Sequence, residues 1–234
     1  MNKIVLGLIG LVFSLSASEI YATFNVQALE SASLAFDASG VIKDVNIDIS
    51  DEVKKGKILA SLENSDKKAN LESAKTVLKY AKKDYDRQVA VKKLIDASKF
   101  DSYAFKYENA KNRLAFQESM YKKTFLKAPF DGVIFFKNIE VGDTVSGMML
   151  KTVFQIQSKH ERKLILDFDQ KYHSIVNIGD RFEYTIDGDD KIYSGLISKI
   201  YPHADANNRK MQAEVKAKDI VVGLFGDGKI ITKE

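Results

Sequence analysis

The sequence has no cysteine and no tryptophan, and only two prolines and three histidines among its 234 residues. Without cysteine the chain cannot form disulfides, thiolate zinc sites, a cysteine nucleophile or a lipid-modified cysteine anchor. The histidines, His160, His173 and His203, are isolated, with no second ligand at metal-binding spacing. We therefore expect no metal site in this protein.

Sequence motifs of the common catalytic chemistries are also missing. The chain has no glycine-rich phosphate loop ending in Lys-Ser or Lys-Thr, which excludes ATP hydrolysis by that route. No serine stands at a sharp turn between a strand and a helix, where many hydrolases hold their nucleophile. Met148-Met149-Leu150-Lys151 is faintly similar to a biotinylation sequence, but we interpret it as strand and turn. We expect neither enzymatic activity nor a cofactor.

The N-terminal residues 1–18 have the features of an export signal. Lys3 precedes twelve apolar or small residues, Ile4–Leu15, and Ser16-Ala17-Ser18 provides a small-residue cleavage site. Twelve residues are few for a permanent membrane-spanning helix, although an uncleaved anchor extending to Tyr21 is the alternative. In both cases the rest of the chain works outside the cytoplasm.

Residues 66–125 are predicted to form two long helices that fold back on each other. Apolar and small residues recur every seven positions, a spacing that keeps a narrow seam against one partner helix, as in coiled coils. No proline or glycine interrupts the stretch, and an arm of about 27 residues is roughly 40 Å long at 1.5 Å per residue. Ser65-Asp66 is predicted to cap the first helix, and Lys122-Lys123 to end the second. The predicted seam positions are Leu71, Ala74, Leu78, Ala81, Tyr85 and Gln88 in the first helix, and Phe100, Tyr103, Tyr107, Ala110, Leu114, Gln117 and Tyr121 in the second.

The predicted hairpin is more basic than the rest of the chain. Residues 66–123 contain 15 lysines and arginines against 8 acidic residues, so their net charge is +7, whereas the whole chain has +4. A basic rod can bind nucleic acid or anionic lipid. We favour a solvated coiled-coil exterior instead, because the aromatic residues lie on the apolar seam and not between the cations.

Two β-rich segments, residues 34–65 and 126–157, are similar to each other. Gly40-Val41-Ile42 matches Gly132-Val133-Ile134, and Asp51-Glu52-Val53 matches Gly142-Asp143-Thr144-Val145. We also match Gly56–Leu59 with Gly147–Leu150. The repeat predicts one small β unit that is split by the inserted helices.

Residues 158–234 are β-rich again, with apolar residues alternating at Leu164, Leu166 and Phe168 and turns at Ile178-Gly179-Asp180 and residues 187–190. Several short strands at regular spacing predict a small barrel. Residues 23–33, in which Phe24, Val26 and Ala28 alternate, are predicted to supply one of its strands.

The two halves and the last domain resemble a known family. Residues 128–134, Ala128-Pro129-Phe130-Asp131-Gly132-Val133-Ile134, followed by 141–145, resemble the second half-motif of a lipoyl/biotinyl domain as it occurs in periplasmic adaptor subunits of Gram-negative tripartite efflux pumps. These subunits are also called membrane fusion or HlyD-like proteins. Segments 178–180, 195–197 and 200–209 resemble the barrel of that family. The resemblance covers about residues 23–230, but Ser50-Asp51 departs from it, since Gly-Asp is usual there.

The resemblance implies a fold, a function and partners. The fold is mainly β and elongated, with a split lipoyl-like β-sandwich, a small β-barrel and a long α-helical coiled-coil hairpin. The function is that of a non-catalytic periplasmic adaptor, associated with or anchored to the inner membrane, which links an inner-membrane drug efflux transporter to an outer-membrane channel. A transporter of the resistance-nodulation-division (RND) type is favoured over an ABC transporter. Self-association into a ring of six copies is implied, and nucleic-acid binding is not.

The resemblance also implies partner-binding residues at the hairpin tip. The family carries Arg, then Leu four residues later, then Ser seven beyond that, and uses them to engage the channel. The corresponding residues here are Arg87, Val91 and Ser98, with Val in place of Leu. From the residues alone, we favour the interpretation that Arg87 is one more solvated charge and that Ser98 is only a helix N-cap.

Two other functions are compatible with the sequence. One is a secreted coiled-coil structural or binding protein without a transport role. The other is a basic rod that binds nucleic acid or lipid. Loss of the gene separates the first from an efflux adaptor, because only an adaptor is needed for resistance to exported compounds.

Overall fold

A computed structural model describes residues 19–232, so the predicted signal segment lies outside the described residues. The chain divides into two compact units. Of the described residues, one unit comprises 19–29 and 160–232, and the other comprises Glu30–Lys159.

Fourteen strands and two α-helices are found in the described part of the chain. In order they are β1 (Glu19–Ala28), β2 (Ser31–Leu34), β3 (Gly40–Val45), β4 (Glu52–Val53), β5 (Ile58–Leu62), α1 (Ser65–Ala90), α2 (Ala97–Lys122), β6 (Phe125–Lys127), β7 (Gly132–Lys137), β8 (Thr144–Val145), β9 (Phe154–Gln157), β10 (Glu161–Asp169), β11 (Arg181–Ile186), β12 (Asp189–Asp205), β13 (Lys210–Lys218) and β14 (Phe225–Ile231).

The first unit is a closed antiparallel barrel with strand order β1-β10-β13-β12-β11-β14. Alternate residues of β1 point inward, because successive side chains of a strand face opposite sides. These residues, Ile20, Ala22, Phe24 and Val26, are buried, and the Phe24 ring packs edge-on against Phe182 at 5.8 Å. Strand β1 pairs with β10 on one side and β14 on the other, and this pairing closes the barrel.

The segment predicted as a barrel strand, residues 23–33, is divided between the two units. Strand β1 starts earlier, at Glu19, and ends at Ala28. The following β2 pairs with β9, so Ser31–Leu34 belongs to the other unit. Its alternation of small and apolar residues is the same in either sheet, so the sequence could not reveal this change of partner.

The β part of the second unit consists of two four-stranded sheets, ordered β2-β9-β7-β4 and β6-β5-β3-β8. When β2 is counted with the first half of the sequence repeat, each sheet takes its two central strands from one half and its two edge strands from the other. The buried core mixes both halves, with Ile42 and Leu59 from the first and Ile134 and Phe154 from the second. The segments around Gly40 and Gly132 therefore lie in one fold.

The internal repeat is interrupted by four additional residues in the second half. Gly40 and Gly132, which begin β3 and β7, are 92 positions apart, but the first residues of β5 and β9 are 96 apart. The prediction that Gly56–Leu59 corresponds to Gly147–Leu150 is therefore wrong. Met148-Met149-Leu150-Lys151, predicted as strand and turn, lies in a loop without strand structure, and its apolar side chains are exposed.

The two helices are inserted between β5 and β6, which are neighbours in one sheet. In the described residues 19–232, neither helix is sufficiently apolar over a sufficient length to cross a bilayer.

The two glycines that begin β3 and β7 provide a matched test of this packing. A Cβ atom on Gly132 would lie 2.4 Å from the backbone oxygen of Gln157, whereas a Cβ atom on Gly40 would come no closer than 3.4 Å to Leu62. We expect Gly132→Ala to lower the free energy of unfolding by about 1–3 kcal/mol through overpacking. Gly40→Ala should leave it within about 0.5 kcal/mol of the wild type. Urea unfolding of the three proteins measures this, and equal losses in both variants would contradict the described sheet pairing.

Candidate functional site: the tip of the helical hairpin

The base of the hairpin is fixed to the sandwich by hydrogen bonds around the buried Thr124. The Leu62 backbone N–H donates to the Thr124 carbonyl oxygen (2.9 Å), and the Asn64 side-chain amide donates to the Thr124 hydroxyl (3.1 Å). That hydroxyl donates in turn to the Tyr121 carbonyl oxygen (2.7 Å). The residue before α1 and the last turn of α2 are thus held together.

The predicted cap of the first helix is wrong. The helix begins at Ser65 with Asn64 as its N-cap, and no cap side chain bonds to the helix amides. Instead, the Glu63 carboxylate accepts the backbone N–H groups of Asn64 (3.2 Å) and Ser65 (3.1 Å). The bond from the Ser65 amide is the main reason why the pKa of Glu63 lies below its usual value.

The two helices pack against each other along the predicted seam. All thirteen predicted seam positions are buried or partly buried, whereas most other positions of the helices are exposed. Toward the tip the Tyr85 ring stacks on Tyr107, with 5.2 Å between ring centres, and lies 5.7 Å from Phe100. Such aromatic pairs stabilise a contact beyond the area they bury, so they hold the helices together near the tip.

The three predicted site residues lie at the tip of this hairpin, on different elements. Arg87 is in the last turn of α1, where its side chain is 73% exposed and forms an ion pair with Asp84. Val91 is the C-cap residue that directly follows α1, and it is exposed. Ser98 lies in the first turn of α2. That these three residues bind another protein stays a prediction.

The helix-capping role considered for Ser98 belongs to a different residue. Asp96 is the N-cap of α2, and its carboxylate accepts the backbone N–H groups of Ser98 (2.8 Å) and Lys99 (3.3 Å). Aspartate is among the best N-cap residues, and Asp96 stands directly before the helix. In the sequence, Asp96 directly follows two apolar residues, and this position could have identified it as the N-cap.

Sequence reasoning did not single out Leu94 and Lys92, which lie between the two helices. Leu94 ends a short 3₁₀ turn, Lys92–Leu94, and its side chain is 85% exposed. The Lys92 ammonium lies 4.4 Å from the centre of the Phe100 ring, a cation–π contact that positions the turn against α2. In the sequence, Leu94 is marked by one feature alone. It is a large apolar residue that lies between the two predicted helices and belongs to neither sevenfold repeat.

The tip is suited to contact with another surface. It presents a cation, two apolar side chains and a capped helix start, all accessible to solvent. Within residues 19–232, no group of three or more histidine, aspartate or glutamate side chains is arranged to hold a metal ion.

Comparison with known proteins identifies the family. The sequence profile described as "CzcB-like, barrel-sandwich hybrid domain" matches residues 30–157, more than half of the chain. The chain belongs to the CzcB-like barrel-sandwich hybrid family. The matched residues correspond to the two interleaved halves and the inserted helices, so the predicted resemblance to membrane fusion proteins is confirmed.

Solved structures with the same fold include two that match more than nine-tenths of this CzcB-like chain. A MacA–MexA chimeric protein that contains the MexA α-hairpin domain of Pseudomonas aeruginosa matches with a TM-score of 0.83 at 16% identity, covering 93% of this chain and 83% of that one. The membrane fusion protein Spr0693 of Streptococcus pneumoniae R6 matches with a TM-score of 0.74 at 14% identity, covering 92% and 100%. At these identities the matches establish the fold alone.

A relative by sequence is an uncharacterized protein of Haemophilus influenzae. It is 24% identical over 186 residues, which are 78% of this chain and 48% of the relative. The chain therefore spans about half the length of the curated relative that it matches.

The cap of α2 can be tested separately from any partner. In Asp96→Ala the amides of Ser98 and Lys99 lose their acceptor, at a cost of about 1 kcal/mol. We expect amide hydrogen exchange at the start of α2 to become about fivefold faster. Ser98→Ala is the control and should exchange like the wild type. Faster exchange in Ser98→Ala, with no change in Asp96→Ala, would contradict the assignment of the cap.

Proposed function

We propose that this protein is a non-catalytic periplasmic adaptor that links an inner-membrane efflux transporter to an outer-membrane channel. The observation that carries the proposal is the insertion of α1 and α2 between two neighbouring strands of a barrel-sandwich domain. This insertion fixes one end of the helical pair and leaves the other end, with Arg87, Val91 and Leu94 exposed, available to a partner. Membership of the CzcB-like family supports the adaptor role.

We propose that α1 and α2 form a coiled coil. The sevenfold spacing of the buried seam supports this, since such spacing keeps one stripe of each helix against its partner over the whole length. Each helix has 26 residues and is therefore about 39 Å long. A paired rod of this length is stiffer than a single helix and can transmit a tip contact to the sandwich.

In the proposed assembly several copies surround the path of the exported compound as a ring, six in the family pattern. A single tip offers few side chains for contact, and such a contact is weak by itself. Linking several weak contacts raises the total affinity by orders of magnitude when all can form together. Ring formation is therefore part of the proposed mechanism.

On the opposite side of the junction we propose that the barrel and the barrel-sandwich domain contact the inner-membrane transporter, of RND type in preference to ABC type. The protein is proposed to lie in the periplasm, associated with or anchored to the inner membrane. Energy for transport comes from the transporter, in agreement with the absence of a phosphate-loop motif from the sequence.

The function is tested by deleting the gene and measuring intracellular accumulation of a fluorescent efflux substrate together with sensitivity to antibiotics and detergents. The adaptor predicts higher accumulation and sensitivity, restored by the plasmid-borne gene, with transporter and channel levels unchanged. Affinity purification from detergent-solubilised membranes should recover both partners. Unchanged accumulation of every substrate, with neither partner recovered, would favour a secreted coiled-coil protein without a transport role.

Arg87 provides the first test of the tip. We expect Arg87→Asp to abolish efflux, because it reverses the charge of a contact at the junction. The exposed side chain contributes little to folding, so the melting temperature should change by no more than a few degrees. Lys79→Asp, an exposed charge reversal two turns closer to the base, is the matched control and should export normally. Normal efflux by Arg87→Asp would remove Arg87 from the contact.

Leu94 provides a second and independent test. With 85% of its side chain exposed, Leu94 contributes little to the hairpin itself, so Leu94→Ser should fold normally. If it enters an apolar site on the channel, the variant should lose about tenfold in affinity for the purified channel, measured by surface plasmon resonance. Val221→Ser, an exposed apolar position in the barrel unit, is the control. Equal affinities for the two variants would exclude Leu94 from the interface.

A further inference from the structure

One end of the barrel is covered by two loops that contact each other. Residues 170–179 connect β10 to β11, and residues 206–209 connect β12 to β13. The Gln170 backbone N–H donates to the Arg209 carbonyl oxygen (3.0 Å). Strands β1 and β11 both begin at this end, since their first residues pair with the same residue of β14. We call residues 170–179 and 206–210 the N-terminal barrel end.

Large apolar side chains are exposed at the N-terminal barrel end. Val176 is buried in the barrel core, whereas Ile175 and Ile178 on either side of it are 41% and 67% exposed. A backbone hydrogen bond of 2.8 Å joins the residue after Ile178 to the residue after Leu196 in β12. Leu196, which is 59% exposed, therefore lies close to Ile178. The loop thus closes the barrel with one apolar side chain and presents others to its surroundings.

The same end of the barrel is basic. Lys171 and Arg209 are exposed, Lys210 is partly exposed, and neither 170–179 nor 206–210 contains an acidic residue. The aspartate that directly precedes each loop accepts a backbone N–H group of that loop. The Lys171 ammonium lies 3.9 Å from the first of these aspartates. With both aspartates included, cations still outnumber carboxylates, so the N-terminal barrel end has a net positive charge.

The opposite end of the barrel is acidic. Residues 187–190 and 219–224 form it, and the Asp187 backbone N–H donates to the Phe225 carbonyl oxygen beside them (3.0 Å). These residues include four exposed aspartates and no lysine or arginine. Val221 in the second loop is 68% exposed. The two ends of the barrel therefore differ in the sign of their charge and not in whether they expose apolar side chains.

The basic end is also the end that the N-terminal segment of the chain enters. Residues 4–15 are the apolar run that we predict to be an export signal or an uncleaved membrane anchor. Only residues 16–18 separate this run from Glu19, and three residues span at most about 11 Å. When the run lies in a bilayer, the start of β1 is therefore near the lipid headgroups, and the N-terminal barrel end lies beside it.

We infer that the N-terminal barrel end lies on the surface of an anionic phospholipid bilayer. Ile175 and Ile178 enter the headgroup region, and Lys171 and Arg209 approach lipid phosphates. Apolar side chains of surface-bound proteins enter a bilayer by about 5–10 Å, and cations beside them are attracted to anionic lipid. The acidic end of the barrel is repelled by the same surface. The inference rests on the proposed association with the inner membrane and names the surface that faces the lipid.

A fluorescent label on single cysteines tests this orientation, because the natural chain has no cysteine. Full-length Ile178→Cys and Val221→Cys proteins are labelled with nitrobenzoxadiazole and reconstituted into vesicles of phosphatidylethanolamine and phosphatidylglycerol, with or without a nitroxide lipid that quenches the dye. The two positions are equally exposed, 67% and 68%, but lie at opposite ends of the barrel. Residues 1–18 bring both labels to the vesicle alike, so a difference in quenching reports the orientation of the barrel.

We expect the nitroxide lipid to quench about half of the fluorescence of the Ile178→Cys label and less than about a tenth of that of the Val221→Cys label. Quenching at Ile178→Cys that is no greater than at Val221→Cys would overturn the inference. A photoreactive group at Ile178→Cys that cross-links in cells to another protein, and not to lipid, would also overturn it.

Charge reversal tests the attraction to anionic lipid. In the Ile178→Cys protein, we expect Lys171→Glu/Arg209→Glu to reduce the quenching at least about twofold. Lys191→Glu/Lys218→Glu changes the net charge equally at exposed positions near the acidic end and should quench like the parent protein. Both double variants should keep the parent melting temperature, since exposed charges contribute little to folding. Equal quenching in the two double variants would contradict an electrostatic contact with lipid.

The gene-deletion assay of efflux is independent of these measurements. If deletion raises the accumulation of an efflux substrate while the Ile178→Cys label is not quenched, the adaptor function stands and only the lipid-facing surface is wrong.

Discussion

The exchange of edge strands between the two halves of the barrel-sandwich domain is the constraint on which the rest of the structure depends. Neither half forms a complete sheet, because each supplies the centre of one sheet and the edges of the other. The chain between the halves must leave β5 and return to β6, which are hydrogen-bonded neighbours. Both ends of the insertion are therefore close together, and two helices of equal length can fill it only as an antiparallel pair.

Much of this fold could be predicted from the sequence because two periodic patterns are strong. Apolar residues seven positions apart identified the helices and their seam, and the recurrence at Gly40 and Gly132 identified the split β unit. Prediction failed where local chemistry decides the outcome. The hydrogen bonds from Ser65 to Glu63 and from Ser98 to Asp96 depend on side-chain direction, which spacing does not contain. The transfer of Ser31–Leu34 to the sandwich depends on strand pairing.

The candidate site was predictable to a smaller extent. A resemblance identified Arg87, Val91 and Ser98, and the structure places all three near the turn between α1 and α2. Leu94 follows no repeat, so only its exposure distinguishes it from a core leucine.

The positive charge of the hairpin constrains how copies can approach each other. Two like charges 10 Å apart in water repel by on the order of 0.4 kcal/mol, and a net charge of +7 on each hairpin makes many such pairs. Random lateral contact between hairpins is thereby disfavoured. The basic coat thus supplies specificity against association of hairpins in arbitrary orientations, because only an arrangement that keeps the cations apart, or brings them near acidic side chains, avoids the repulsion.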